Sequence, residues 1–413
     1  MIGVLVVLLV LSVVTRQGSL FLLSLALLVA AGLSRLWERH CLTGIEYRRH
    51  LSRRQASFGE EIQLEIEIVN RKLLPLSWLE IEDEISQNLS PTRGRVYLSH
   101  KPGRALLANL LALRPYERVR RRYAIPCLSR GEHLLGPVRL RSGDLFGFVT
   151  CERTIELADT VVVYPRVVSL TQLGLPARQP LGNLRTRSWI FEDASRIAGA
   201  REYRPGDGLR RIHWPATAKT QQLQVKVYDA TTSHKLAVFL NLDTREQVLW
   251  GYGYDPEVLE LSITIAASVA KWGLEQDYQV GLYTNGMHRL SRADVAVDPG
   301  RGVGQLERIL VALGRVQPIA VRPFEDVLSR TSHRLAFGTT VVLVTAALTS
   351  PVTATVRALR AHGHAVSVIL TGRLGGTASL QGIMVRHVGP PESWRDMPVL
   401  SVAGDGPRSA KVS

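Results

Sequence analysis

Leu236-Ala237-Val238-Phe239-Leu240-Asn241-Leu242 decides the fold of the carboxyl-terminal part of this chain. The run holds a single polar residue, so it lacks the alternation of a strand with one wet face and reads as a strand buried on both sides. Working outward, Pro256 to Gly273 places Val258, Leu261, Ile265, Val269 and Trp272 on one side of a predicted helix, and Gln279 to Tyr283 reads as a second strand. The pattern then repeats: a helix over Leu306 to Leu313, a buried strand over Thr340 to Val344, a helix over Pro351 to Ala361 opened by Thr349 or Ser350, and a strand over Ala365 to Leu370. Alternating strands and helices predict a mostly parallel sheet covered by helices, an α/β domain over residues 236–390.

Upstream the period changes. Ile62, Leu64, Ile66 and Ile68 alternate with polar residues, the mark of a half-buried strand. Leu73, Leu74 and Pro75 make a turn, and Leu79, Ile81 and Ile85 set one face of a strand from Trp78 to Ile85. Val119, Arg121, Tyr123 and Ile125 form another strand, Arg130 and Gly131 its turn, and Leu134 to Leu140 the next, which together predict an all-β antiparallel sandwich over residues 41–175. Ser142 to Gly147 reads as a turn with an aromatic plug, and no catalytic constellation stands in this region.

The first forty residues hold two aliphatic runs, Ile2 to Val14 and Leu20 to Leu33, broken by Thr15, Arg16, Gln17, Gly18 and Ser19. Their pairing predicts a transmembrane helical hairpin over residues 1–40, touching membrane lipid through residues 1–36. A single long helix would bury Arg16 at a cost of about 2.5 to 3.5 kcal/mol, and a signal peptide lacks its basic start. Arg35, Arg39, Arg48, Arg49, Arg53 and Arg54 follow the second run. By the positive-inside rule these arginines predict a multi-pass protein of the cell membrane whose soluble region is cytoplasmic.

Lys plus Arg exceed Asp plus Glu by 51 to 36, and only seven of the basic residues are lysines. The charge is spread along the chain without a dense basic tract interleaved with aromatics, which argues against nucleic acid as a partner. Cys41, Cys127 and Cys151 form no metal-site spacing and read as packing residues in a reduced compartment. The chain holds no Gly-Lys-Ser/Thr phosphate loop, no His-Glu-x-x-His helix and no Gly-x-Ser-x-Gly elbow, so the expectation is that it is not an enzyme.

Between the two domains, residues 176–235 form a linker around Arg201-Glu202-Tyr203-Arg204-Pro205-Gly206-Asp207-Gly208-Leu209-Arg210-Arg211-Ile212-His213-Trp214. Pro205 and Gly206 supply the torsions of a tight turn, and guanidinium groups can reach Asp207. Arg201, Arg204, Asp207, Arg210, Arg211, Trp214 and Lys219 are the candidate partner- or anion-binding residues, since guanidinium forks match carboxylate and phosphate. This segment, leading into LQVKVYD at 223–229, resembles a prokaryotic domain-of-unknown-function family, number fifty-eight. NRKLLPLSWLEIED at 70–83 and LSRGEHLLGPVRLRSGDLFGF at 128–148 extend the resemblance, as do the paired apolar runs. His213 stands where that family often has an acidic residue.

The resemblance implies membrane anchoring and association with MoxR-type AAA+ ATPases and transglutaminase-like membrane proteins. The βα order is similar to a von Willebrand factor A-like, Rossmann-like domain, whose active members hold a divalent metal with Asp-x-Ser-x-Ser. Here Asp243-Thr244-Arg245-Glu246-Gln247 keeps the aspartate and loses both serines, so no metal or other cofactor is expected, with Asp243, Glu246 and Asp255 as the carboxylates for any residual Mg²⁺. The function these readings predict is a membrane-tethered interaction scaffold working with a MoxR-type ATPase in assembly or maturation of a complex. The alternative is a metal-assisted hydrolase or anionic-ligand-binding protein built on Asp243, Asp207 and His213. Residues 391–413, rich in Gly, Pro and Ser, predict a disordered tail.

Overall fold

The computed structural model describes residues 2–144, 149–175, 192–204, 212–230, 235–244, 254–288, 294–372, 380 and 382–400. Two compact units divide the chain, Met1–Tyr164 and Pro165–Ser413. The division falls inside the stretch expected to be sandwich, because Val163 ends the last strand of the first unit while Val168 already donates its N–H to Ser268 in the second.

The first unit opens with helices α1 (Ile2–Val14) and α2 (Gly18–His40). Strands β1 (Ile45–Leu51), β2 (Gln55–Ala56), β3 (Glu61–Asn70), β4 (Leu76–Ser86), β5 (Arg95–Leu98), β6 (Arg104–Leu113), β7 (Arg118–Pro126), β8 (Gly131–Leu135), β9 (Val138–Gly143), β10 (Thr150–Ile155) and β11 (Asp159–Val163) follow. They form two antiparallel sheets, β1-β3-β7 and β10-β9-β4-β6-β5, with a small third sheet β2-β11-β8. Ile62, Leu64, Ile66 and Ile68 of β3 and Leu79, Ile81 and Ile85 of β4 are all buried in one core, because a period of two sends each apolar set to the same side. The predicted strand Leu134 to Leu140 is instead two. Gly136 takes φ 96° and a Cβ there would collide with the carbonyl oxygen of Leu157, so the chain turns at Gly136-Pro137 and β8 and β9 enter different sheets.

Inside this apolar core sits an ion cluster. Arg49 donates to Asp83 at 2.7 Å with both side chains fully buried, and reaches Asp159 at 2.9 Å. The Tyr47 hydroxyl donates to Asp83 at 2.6 Å. Burial pushes both the Asp83 carboxyl and the Tyr47 hydroxyl above their ordinary values, and the Arg49 charge opposes both shifts.

Cys41 and Cys151 pack in the sandwich core as expected, but they are also joined in a disulfide, a correction to the reading of reduced thiols. Partners 110 positions apart leave no spacing signal. Cys127 is buried and free, with burial pushing its thiol up to about 11.

The amino-terminal helices correct a larger expectation. α1 and α2 pack on each other through a turn at Arg16 (φ 50°), but among the described residues no helix is long and apolar enough to cross a membrane. At 1.5 Å per residue, the 13 residues of α1 span about 20 Å against about 30 Å of hydrocarbon. α2 has 23 residues, yet its last turns carry Ser34, Arg35, Arg39 and His40. Those turns belong to the sandwich: the Ser34 hydroxyl donates to Asp144 at 2.6 Å and Trp37 packs against the core. The transmembrane hairpin, the lipid contact through residues 1–36 and the multi-pass location in the cell membrane are therefore unsupported, and the cytoplasmic orientation drawn from the flanking arginines loses its premise.

The second unit contains β12 (Glu192–Glu202), α3 (Trp214–Thr220), β13 (Gln224–Ala230), β14 (Lys235–Leu240), α4 (Pro256–Glu275), β15 (Gln279–His288), β16 (Asp294–Gly300), α5 (Val303–Arg315), β17 (Val316–Ala320), α6 (Phe324–Ser332), β18 (Thr340–Thr345), α7 (Ser350–Ala361), β19 (Ala365–Leu370) and β20 (Met384–His387). The main sheet runs β16-β15-β14-β18-β19-β20, with β17 also paired to β15. Strands β15, β14, β18, β19 and β20 are parallel and β16 antiparallel, so with β17 left out the six strands stand in the order 3-2-1-4-5-6. That is a doubly wound order whose direction of winding switches between β14 and β18.

Successive residues of β14 face opposite ways. Ala237 and Phe239 pack with Phe324 and Leu328 of α6 and Val352 and Val356 of α7. Leu236 meets α4, where a Cβ on Gly273 would strike the Leu236 side chain. The stretch after His387, expected to be irregular, includes a 3-10 helix over Pro391–Arg395. Trp394 there donates from Nε1 to Glu257 of α4 at 2.8 Å, so the tail prediction overreaches by several residues, while 401–413 lie outside the described residues.

Candidate functional site at the switch point

The carboxyl ends of β14 and β18 bring Asn241, Leu242, Asp243 and Thr244 beside Thr345 and Ala346. In a doubly wound sheet the crevice outside these ends is where ligands and partners meet the fold, because the strand order reverses there and leaves a gap between connections.

Three buried polar side chains tie the edge together. Asn241 donates from Nδ2 to Thr345 Oγ1 at 3.0 Å, while its Oδ1 accepts from the Asp243 N–H at 3.0 Å and from Asn285 Nδ2 at 2.8 Å. Asn285, from β15, also accepts the Leu242 N–H on Oδ1 at 2.9 Å and donates to the Arg322 carbonyl at 3.4 Å. Thr345 donates onward to the Ala347 carbonyl at 2.9 Å. Every member is 7 % exposed or less, so each bond replaces a water contact that folding removed.

Behind this edge the Thr244 hydroxyl accepts the Asp255 N–H at 2.8 Å, and Asp255 Oδ1 caps α4 by accepting from Glu257 and Val258 at 3.0 and 3.3 Å. A carboxylate there also complements the positive end of the helix dipole. Pro256 at the first helical position completes the start signal.

Asn241 Oδ1, Asn285 Oδ1, Thr345 Oγ1 and Asp255 Oδ1 already serve as protein acceptors or sit within the bonded network. Among the described residues no group of three or more His, Cys, Asp and Glu is arranged to hold a metal ion. A divalent cation takes six or more oxygens, more than the described carboxylates Asp243 and Asp255 supply. Asp243 is half-buried at the mouth of the crevice; Arg245, Glu246 and Gln247 lie outside the described residues.

The linker motif forms a two-stranded sheet and a short helix within the second unit. β12 pairs antiparallel with β13, placing Arg201 opposite Val225, and Ile212 bridges to Val225 as well. Between them α3 starts at His213, whose Nδ1 accepts the Ala216 N–H at 3.0 Å, with Pro215 in the first turn. His213 is thereby a helix cap, which uses the lone pair a general base would need. Trp214, 66 % exposed, and Lys219 ride on α3, while exposed Arg201 and Arg204 lie at the end of β12 and just beyond it. Asp207, Arg210 and Arg211 lie outside the described residues, as does the aromatic plug from Leu145 onward. The structure thus brings Asn285, absent from the sequence-derived candidates, to the crevice, and keeps His213 for the linker.

The family described as "Protein of unknown function DUF58" matches residues 199–374, which takes in the linker motif and the sheet through β19. The uncharacterized protein YeaD of Bacillus subtilis (strain 168) is 24% identical over 271 residues, 65% of this chain and 62% of that protein. The chain thus spans about six-tenths of the length of the curated relative it matches. Among solved structures, a beta-glucosidase from Listeria innocua in complex with gluconolactone is 14% identical over 29% of this chain and 16% of its own, with TM-score 0.19. Part of alpha-2-macroglobulin from Escherichia coli is 17% identical over 30% and 17%, with TM-score 0.22. Likenesses at these scores carry no functional weight.

Proposed function

We propose that this chain is a protein-interaction scaffold whose von Willebrand factor A-like domain presents the carboxyl edge of its parallel strands to a MoxR-type AAA+ ATPase, in assembly or maturation of a complex. The observation that carries this reading is the closed network of Asn241, Asn285 and Thr345. Buried amides and hydroxyls bonded to one another hold the edge in one shape and leave few lone pairs for a reacting atom. A rigid, preorganised edge costs little ordering entropy when a partner docks, which is what a scaffold needs. The mostly parallel sheet with β14 at its centre and Asp243 at the end of that strand supports the A-type reading. Arg201, Arg204 and Trp214 on the linker offer guanidinium and aromatic groups of the kind enriched in interfaces, with Asp207, Arg210, Arg211 and Lys219 in the same motif. The resemblance to family fifty-eight supports the choice of an ATPase partner and adds a transglutaminase-like protein as a further one.

The test is titration of the full chain with a purified MoxR-type ATPase, with ATP and with ADP, followed by Asp243→Arg and Arg204→Glu. Saturable binding in one nucleotide state, weakened at least about tenfold by Asp243→Arg, is expected, since a like charge placed at an interface costs several kcal/mol. Absence of binding in both nucleotide states, or binding indifferent to both variants, would reject the reading.

A further inference from the structure

Beside the crevice, and sharing Asn285 with it, the second unit holds a cavity of about 420 Å³ between β15, β16 and α6. That volume falls in the range of small-molecule sites. Its floor is Tyr283, whose ring stacks on Phe239 at 5.1 Å between centroids and is fixed by the core beneath. Tyr283 is only 9 % exposed, and among the described residues its hydroxyl makes no hydrogen bond. A buried phenol normally finds a partner, because an unbonded hydroxyl forfeits the water it gave up. This one borders open space.

The charges around it are unbalanced. Lys235, Arg322, Arg330 and Arg334 line the cavity against Asp294 and Asp298. Arg322 pairs with Asp294 at 3.2 Å. No ion pair or side-chain hydrogen bond of Lys235, Arg330 or Arg334 occurs among the described residues, so three cations face one remaining carboxylate. Burial and then the Asp298 charge push the Tyr283 hydroxyl above its ordinary value, and the Arg334 charge opposes them. A concave wall with an excess of one sign focuses field and favours an ion of the other. Val327, Leu335 and Pro299 give the same cavity apolar walls.

We propose that this cavity binds a small organic anion, a carboxylate or phosphate head on an apolar or ring body. The head lies among Arg330, Arg334 and Lys235 and accepts a hydrogen bond from the Tyr283 hydroxyl, while the body packs on Val327 and Leu335. Guanidinium groups suit both heads because each accepts paired N–H bonds. The inference is independent of the scaffold reading: the site can fill whether or not the crevice meets an ATPase.

The experiment is calorimetric titration of the full chain with phenyl phosphate, benzoate and inorganic phosphate. One-site binding of phenyl phosphate or benzoate is expected, and which of the two binds tighter identifies the head. Tyr283→Phe, which keeps the stacked ring, should weaken that binding about threefold to tenfold, and Arg330→Gln with Arg334→Gln by more than tenfold. Both arginines are exposed, and circular dichroism of the variants checks that they fold. No saturable binding of either organic probe, or binding unchanged in all variants, overturns the proposal. Inorganic phosphate binding as tightly as phenyl phosphate overturns the organic class.

Discussion

The two units solve the same problem, polar groups inside an apolar core, with opposite chemistry. The first buries charge, with Arg49 between Asp83 and Asp159 and Tyr47 alongside. The second closes its switch point with neutral groups, Asn241, Asn285 and Thr345. The difference lies in what failure costs. A buried ion left alone keeps its full desolvation penalty, whereas an orphaned amide loses about one hydrogen bond. The sandwich is accordingly braced by an arrangement that tolerates no loss, and the crevice by one that gives way by degrees.

The largest effect that sharpens this contrast is Arg49→Met, which strands Asp83 in the core. Unfolding in urea should show the first unit destabilised by about 3–5 kcal/mol, and a loss under 1 kcal/mol would mean the charges are not braced as described. Asn285→Ala should cost about 2 kcal/mol and abolish protection of the Leu242 amide in hydrogen exchange, because that N–H loses its acceptor. Retained protection there would break the comparison from the other side.

The smallest effect is one of pH. Lys72 donates to the carbonyls of His40 and Cys41 at the end of α2, and burial pushes its ammonium down to about 8 from an ordinary 10.5. Between those values the unfolded chain holds more protons than the folded one, so stability should rise as pH goes from 8 towards 10.5. Lys72→Met should flatten that rise in a series of unfolding curves. The partial exposure of the site keeps the slope shallow, and an unchanged profile would show that the two carbonyls hold the proton against burial.

Legibility in the sequence followed how local each signal was. The strands around Ile62 to Ile68 and Leu236 to Leu240 and the helix from Pro256 occur where their periods place them, since alternation, continuous apolarity and a one-sided helical stripe are readable within a few residues. The amino-terminal hairpin shows the limit. Two apolar runs suggested a span, yet the end of α2 is held by Ser34 to Asp144, 110 positions away, and by Trp37 on the sandwich. The linker residues Arg201, Arg204, Trp214 and Lys219 stood out as types, but nothing local marked His213 as a cap or Asn285 as the brace of the crevice.

By itself the sequence determined the periods, and with them which segments are strands or helices and which faces are apolar, because those depend on neighbours two to four residues apart. Only the tertiary structure decided the sheet order, the Cys41 to Cys151 bridge, the buried ion cluster and the cavity over Tyr283. Each of these joins residues from elements distant in the chain, and their energies exist only once burial has removed water and fixed the groups within bonding distance.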